Sequence, residues 1–460
     1  MASIARTAAW IKDDARILLD AELVTRACVE AGHCWRVRAL EPVTTLALMM
    51  LQALHGTSCR GVLRVAGVLC SASAYCQAKQ RLPLAVLQRL FFELACRARG
   101  VLAGTLPGAR EEAVGRWKGH RVLLIDGSSL TMPDTPALQR AFGQPAAMKR
   151  GCGFPVMHLL SLFDQATGMI VDVIDSRWNT HDLRHASKLH PLLGEGDVLL
   201  GDRGFCSFAH LALIVRDHLH GLFRGHQKQI VDFRPRRRDR KRLPKRRRRG
   251  RPTSVFVRRL GRHDQLVRYV KPKSCPSWMD RQDYQRLPDA ITVRELRCPI
   301  ERPGFRTTQV TLVTTLLDPR KYPKEDLAEL YGSRWEVETR LLELKQTLGA
   351  GVLRSTSPDA VRKELWTCLL IYNLIRLLML RQARQRGVDP RRLSFIDARD
   401  LLRYHRASSG GGPMPLILLN PTRPGRHEPR VIKRRKDRYR YMTRPREQLR
   451  QELGITRLAA

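Results

Sequence analysis

"HRVLLIDGSSLTMPD", residues 120–134, is an apolar, β-branched run that ends in Asp126 and is then broken by Gly127, two serines and Pro133. It is too short and too punctuated for an amphipathic helix and reads as a strand closed by a carboxylate. The pattern recurs in "FPVMHLLSLFDQATGMIVDVIDS" (154–176), where "DQATG" has the composition of a hairpin turn, and in "GDVLLGDRGF" (196–205), which ends its own apolar run in Asp202. Between the last two, "NTHDLRHASKLHPLLGEG" (179–196) predicts one crossing helix, with Asn179 and Thr180 as caps and Asp182 in the first turn. "SFAHLALIVRDHL" (207–219) predicts a second helix and "HGLFRGH" (220–226) another strand. Strands alternating with helices make this an α/β protein.

Working outward, residues 1–118 are rich in Ala, Leu and Arg with apolar spacings of three and four, as in "ARILLDAELVTRACVEAG" and "TTLALMMLQALHG", and form a helical N-terminal domain. Within it, "CRGVLRVAGVLCSASAYCQAKQRLP" (59–83) has the layout of a helix-turn-helix, with an ordinary helix pair as the alternative. Residues 119–226 make the first part of the core. Periodicity is lost over 227–304, which contains "RPRRRDRKRLPKRRRRGR" (234–251) and strand-like fragments, and reads as a β-rich insertion with a basic loop. Residues 305–386 return to strand and then helix as the second part of the core. Residues 387–460 form a basic C-terminal region.

The 83 Lys and Arg residues against 43 Asp and Glu give a formal net charge of +40, which calls for a polyanionic partner, with nucleic acid foremost. No membrane partner is expected: "WTCLLIYNLIRLLMLRQ" (366–382) is interrupted by Asn373 and Arg376 and reads as a buried core helix. Lys12, Asp13 and Asp14 break the apolar character of the N-terminal stretch, so secretion is not expected and a cytoplasmic location is. Eleven cysteines without a C-x-x-C pair suggest neither a disulfide framework nor a zinc ribbon.

An Asp at a strand end is ordinarily a turn residue, but two such ends on neighbouring strands bring hard oxygen ligands toward one point. "YGSRWEVETRLLELK" (331–345) supplies a third carboxylate. At about 100° per residue, Tyr331, Arg334, Glu338 and Lys345 share one stripe bordering a seam of Leu330, Val337, Leu341, Leu344 and Leu348. A solvated face with an Arg334–Glu338 pair is the bland alternative. Glu336 and Glu343 fall on other faces and are expected at the surface. His181, His185, His158, Cys152 and Cys206 complete no zinc spacing, and "GCGF" (151–154) lacks the context of a phosphate loop.

The spacing Tyr331, Arg334, Glu338, Lys345 resembles the Y-x2-R-x3-E-x6-K signature of transposases of the insertion sequence 4 family. "LLIDGSSLTMPD" and "LLGDRGF" fit the same pattern, and the resemblance covers most of the chain. It implies a ribonuclease H-like mixed sheet flanked by helices, with the β-rich insertion before the last catalytic helix and the helical domain in front. It implies that Asp126, Asp202 and Glu338 are a catalytic, metal-binding triad, that Tyr331, Arg334 and Lys345 contact phosphates of the transposon end, and that Trp335 stacks on a base. Trp278, the insertion's one Trp, matches the place of a base-holding Trp in some relatives, without their surrounding motif.

The implied activity is cut-and-paste transposition by a bacterial, nucleoid-associated enzyme. It binds the double-stranded terminal inverted repeats of an insertion sequence and target DNA, as a homodimer in a synaptic complex. A catalytically dead DNA-binding remnant, or a ribonuclease H-like nuclease that does not join, are the alternatives. Independently of the resemblance, three carboxylates suit Mg²⁺ or Mn²⁺, and two such ions about 4 Å apart serve in-line displacement at phosphorus.

Overall fold

A computed structural model describes residues 20–103, 115–234, 252–299, 309–404, 415–421 and 444–452. Most of the basic run after Arg234 and of the basic C-terminal stretch lies outside these residues.

The N-terminal region is helical: α1 Ala21–Glu30, α2 Pro42–His55, α3 Cys59–Ala66, α4 Ala72–Arg81 and α5 Leu84–Ala103. Ser58 and Ser71 accept hydrogen bonds from Gly61 N and Ala74 N and so start α3 and α4, the helix pair expected from 59–83. Gly67 between them sits at φ +64°, a left-handed stop that favours glycine.

The core continues as β1 Val122–Thr131, α6 Pro136–Ala141, β2 Val156–Asp164, β3 Ile170–Arg177, α7 Leu183–Ala186, β4 Val198–Gly201, α8 Phe208–Arg216 and β5 His220–Arg224. The crossing helix predicted over 179–196 is thus shorter: α7 starts after Asp182 and passes into a 3₁₀ turn, Ser187–Leu192, that contains Pro191. Proline there removes a donor and ends the α-helical ladder. Next come β6 Val255–Gly261, β7 Asp264–Val270, α9 Arg281–Arg286, β8 Ala290–Pro299 and β9 Gln309–Thr314. Helices close the chain: α10 Lys324–Gly332, α11 Trp335–Leu342, α12 Pro358–Arg386, α13 Phe395–Tyr404 and α14 Arg446–Glu452.

The nine strands among the described residues form one mixed sheet, in the order β3-β2-β1-β4-β5-β9-β8-β7-β6. The pairs β1–β4 and β4–β5 are parallel, and all other pairs are antiparallel. The strands of the 227–304 stretch therefore extend the core sheet through β9.

The central strands are apolar on both faces because both are covered. Val122, Leu124, Val198, Leu200 and Leu222 share a core with α2, α5 and α10 to α12. Leu123, Ile125, Leu199 and Phe223 point the other way, to α7 and α8. Counting on in twos, Asp126, Asp202 and Arg224 come to the face of the signature helices. α12 runs through the first core, buried along most of its length. Its two polar interruptions are used internally. Asn373 pairs with both backbone groups of Ile170 on β3, at 2.9 Å each, and Arg376 bonds Tyr372 Oη at 3.0 Å and pairs with Glu343. Among the described residues no helix is long and apolar enough to cross a membrane.

Candidate active site

β1 and β4 are paired Val122 to Val198 and Leu124 to Leu200, so the next position in step sets Asp126 beside Asp202, just past the end of β4. Asp202 Oδ1 accepts from Gly204 N at 2.7 Å, in a turn so tight that a Cβ at Gly204 would lie 2.9 Å from that oxygen. Asp126 is largely buried. Burial pushes its carboxyl up to about 6, with Asp202 and Asp182 pushing the same way and Arg334 and the Gly127 N–H opposing.

The third carboxylate arrives on an irregular segment. The ideal continuous helix assumed for 331–345 is interrupted twice. α10 stops at Gly332, Ser333 Oγ bonds back to Leu330 O at 2.7 Å, and α11 begins only at Trp335. Gly and Ser are poor helix formers and suit that break. After Leu342 one π turn, Glu343–Thr347, widens the ladder, a feature that re-aims side chains. It directs Lys345 to β1, where Nζ donates to Ser128 Oγ at 3.2 Å.

Arg334 joins the pieces. Its Nη2 donates to Glu338 Oε1 at 3.1 Å and its Nη1 lies 3.6 Å from Asp126 Oδ2. The guanidinium carbon is 5.1 Å from the Trp335 ring centroid, within cation–π range. Tyr331, mostly buried, has its hydroxyl pushed up to about 12 by burial, with Arg334 and Arg224 pulling it down and Asp202 pushing it up. Asp126, Asp202, Tyr331, Arg334, Glu338 and Lys345 are thus gathered at one sheet edge. Trp278 instead packs, half-buried, against the second core. Among the described residues no three His, Cys, Asp or Glu side chains stand close enough to make a ready-formed metal site. Glu338 is turned to Arg334.

Glu343 corrects its sequence reading. It is not a surface residue but a largely buried partner of Arg376, and Glu336 pairs with Arg340 and Arg391. Three residues were missed. Arg224 was detectable from the period-two step along β5. Asp182, read only as a helix-start residue, packs its carboxylate against Gly127, where a Cβ would lie 2.5 Å from Oδ1, and His158 Nε2 holds it at 2.5 Å. Only tertiary pairing brings those two together.

The turn bearing Asp202 is pinned from behind by His210, whose Nδ1 is 2.8 Å from Phe205 O, while its Nε2 is 3.4 Å from His190 Nε2. His190 Nδ1 in turn meets Asp217 at 2.7 Å. Burial lowers His210 from 6.5 to about 3. Between those values the unfolded chain takes up a proton that the folded one refuses, so stability falls as pH drops from 6.5 toward 3. The expected loss is several kcal/mol, on the order of 1.4 per pH interval. His210→Gln should flatten this acid limb in urea denaturation at pH 7 and pH 5; an unchanged pH slope would rule the group out.

The family model described as "Transposase DDE domain" matches residues 117–374. Over 459 residues, 93% of this chain and 93% of the relative, the chain is 26% identical to the transposase InsG for insertion sequence element IS4 from Escherichia coli (strain K12). It is 29% identical over 83 residues to the putative transposase y4zB from Sinorhizobium fredii, covering 18% of this chain and 23% of the relative. A solved piggyBac transposase synaptic complex with hairpin DNA overlaps at TM-score 0.39 and 12% identity, covering 88% of this chain and 80% of that one; an overlap that loose carries no argument.

Proposed function

The chain belongs to the DDE transposase family and is a DNA transposase, an enzyme of DNA strand cleavage and strand transfer that depends on divalent metal; from that premise we propose that Asp126, Asp202 and Glu338 are its catalytic triad. The observation that carries the reading is the convergence of Asp126 and Glu338 on one guanidinium, with Asp202 in step with Asp126 on the neighbouring parallel strand.

The residues fit hard divalent cations. All three donors are carboxylates, burial raises Asp126 to about 6, and the hydroxyl of Ser161, paired across from Asp126, is buried with no hydrogen-bond partner among the described residues. Asp126, Asp202 and Glu338 would hold two Mg²⁺ or Mn²⁺ ions. Such ions, when bound, supply Lewis acidity at the scissile phosphate and lower the pKa of an attacking oxygen.

The chain's own residues do the rest. Arg334, Lys345 and Arg224 border the carboxylates with positive charge and orient the phosphates of a DNA strand lying along the sheet edge. The buried Tyr331 packs behind Arg334 and limits where its head group travels. Trp335 lies against the Arg334 guanidinium and is assigned to stacking on an unstacked base. The strand order β3-β2-β1-β4-β5, with β2 antiparallel to the central parallel strands, supports a ribonuclease H-like core over 119–226 and 305–386, with 227–304 as the insertion. The helical region 1–118 and the basic region 387–460 are assigned to binding terminal inverted repeats and target DNA, two copies of the chain joining two ends.

The test is Mg²⁺-dependent cleavage and joining on a supercoiled plasmid carrying the gene's own flanking ends. At matched DNA binding, Glu338→Gln should cut at least about a hundredfold more slowly, the loss of a few kcal/mol of transition-state stabilisation. If wild type binds and never cuts, the chain is a DNA-binding remnant. If it cuts without joining, it is a nuclease.

A further inference from the structure

Arg334 spans two carboxylates that belong to different elements, Asp126 on β1 at 3.6 Å and Glu338 on α11 at 3.1 Å. It is 9% exposed, so this is a built position and not a surface side chain resting on a neighbour. Yet the arrangement leaves its Nε buried with no hydrogen-bond acceptor among the described residues. A guanidinium has five N–H donors in a fixed plane, and an oxyanion with several oxygens satisfies more of them than two carboxylates approached from one side. The oxygens turned to Arg334, Asp126 Oδ2 and Glu338 Oε1, belong to two of the carboxylates that would hold a divalent cation, so guanidinium and cation would compete for them.

Resting on the triad reading above, we propose that Arg334 is a charge relay: in the protein alone it is the counter-ion of Asp126 and Glu338, and on arrival of DNA it passes to a backbone phosphate, freeing both carboxylates for the metal. The relay makes DNA and metal bind with positive coupling, and by linkage each raises the other's affinity by the same factor. A protein without DNA then holds its metal weakly, which keeps the cutting site unassembled until a strand is seated. Trp335 assists by keeping the guanidinium plane against its ring, so the head group can swing toward the phosphate without entering bulk water.

The experiment is Mn²⁺ binding by electron paramagnetic resonance on the full chain, with and without a duplex of the gene's own flanking end, corrected for Mn²⁺ held by DNA alone. Duplex occupancy is fixed separately by fluorescence anisotropy. Without DNA, Arg334→Gln should bind Mn²⁺ about tenfold more tightly than wild type. With saturating duplex, wild type should gain about tenfold and Arg334→Gln nearly nothing. Arg334→Lys, which keeps the charge but cannot bridge two carboxylates, should fall between them, and it serves if the glutamine variant does not fold. The relay is overturned if removing the guanidinium leaves DNA-free Mn²⁺ affinity unchanged or weaker, or if all three proteins gain equally from DNA. Asp126→Asn separates the two ideas. If it loses Mn²⁺ while Arg334→Gln behaves as wild type, the triad stands and the relay falls. If Asp126→Asn binds Mn²⁺ as wild type does, the triad reading falls and the relay with it.

Discussion

Asp126→Asn is expected to abolish cleavage and, in metal-free buffer, to make the protein more stable. The activity loss should reach at least about a thousandfold, exceeding that of Glu338→Gln, because Asp126 is the more buried carboxylate and acts in the lower dielectric. The stability gain follows from the same burial. The Asp126 carboxyl moves from an ordinary value of 3.8 in the unfolded chain to about 6 in the fold. The neutral form is therefore the one the fold prefers, and stability from it is complete below 3.8 and lost as pH rises to about 6. At pH 7 the ionised group costs the fold about 3 kcal/mol, reduced to about 2 by its partial exposure to solvent. Asn keeps the shape and removes the charge. Urea denaturation in EDTA should show wild type less stable than the variant by that amount at pH 7 and by about half of it at pH 5. A variant no more stable than wild type at pH 7 would mean that Asp126 is not held under electrostatic strain.

Arg294→Met should cost about 3–5 kcal/mol of stability, the range for breaking one side of a buried ion pair. Arg294 is 1% exposed, and its Nε and Nη2 meet both oxygens of Asp264 at 2.8 and 2.5 Å across the β7–β8 pair. Its Nη1 donates to Tyr322 O at 2.6 Å. Tyr322 Oη lies 2.7 Å from His120 Nε2, and His120 Nδ1 lies 2.6 Å from Gly196 O. One guanidinium thus ties the inserted strands to the segments that enter β1, β4 and α10. The double variant Arg294→Met with Asp264→Leu should recover most of the loss, because the cost lies in the stranded Asp264 charge and not in the absent bond. If the double variant is as unstable as the single, the bond to Tyr322 O is the larger contribution. Loss of cleavage in the single variant at a temperature where it remains folded would show the clamp reaching α11.

What could be read directly from the residues was whatever depends on local pattern. Period-two and period-3.6 spacing placed the hairpin of β2 and β3, the helix after Asp202, and the buried helix with Asn373 and Arg376 inside it. Strand-end position marked Asp126 and Asp202, and the fixed offsets of the signature marked Glu338, before any fold was known. Misreadings occurred where a neighbour distant in sequence overrides the local pattern. Glu343 looked like a surface residue on an ideal wheel, but a π turn and Arg376, 33 residues on, bury it.

The sequence by itself determined a basic, DNA-directed α/β chain and marked its strand-end aspartates and signature glutamate as the candidates for its chemistry. Tertiary structure alone decided that the inserted strands extend the core sheet, that Asp182 packs against Gly127 beside Asp126, and that Arg334 bridges Asp126 and Glu338. The reason is physical. Apolar periodicity and turn chemistry act over a few residues and are written into each segment, whereas a guanidinium shared by β1 and α11 depends on strand pairing and helix docking across some 200 positions of chain, where hydrogen-bond register and burial together choose the partner.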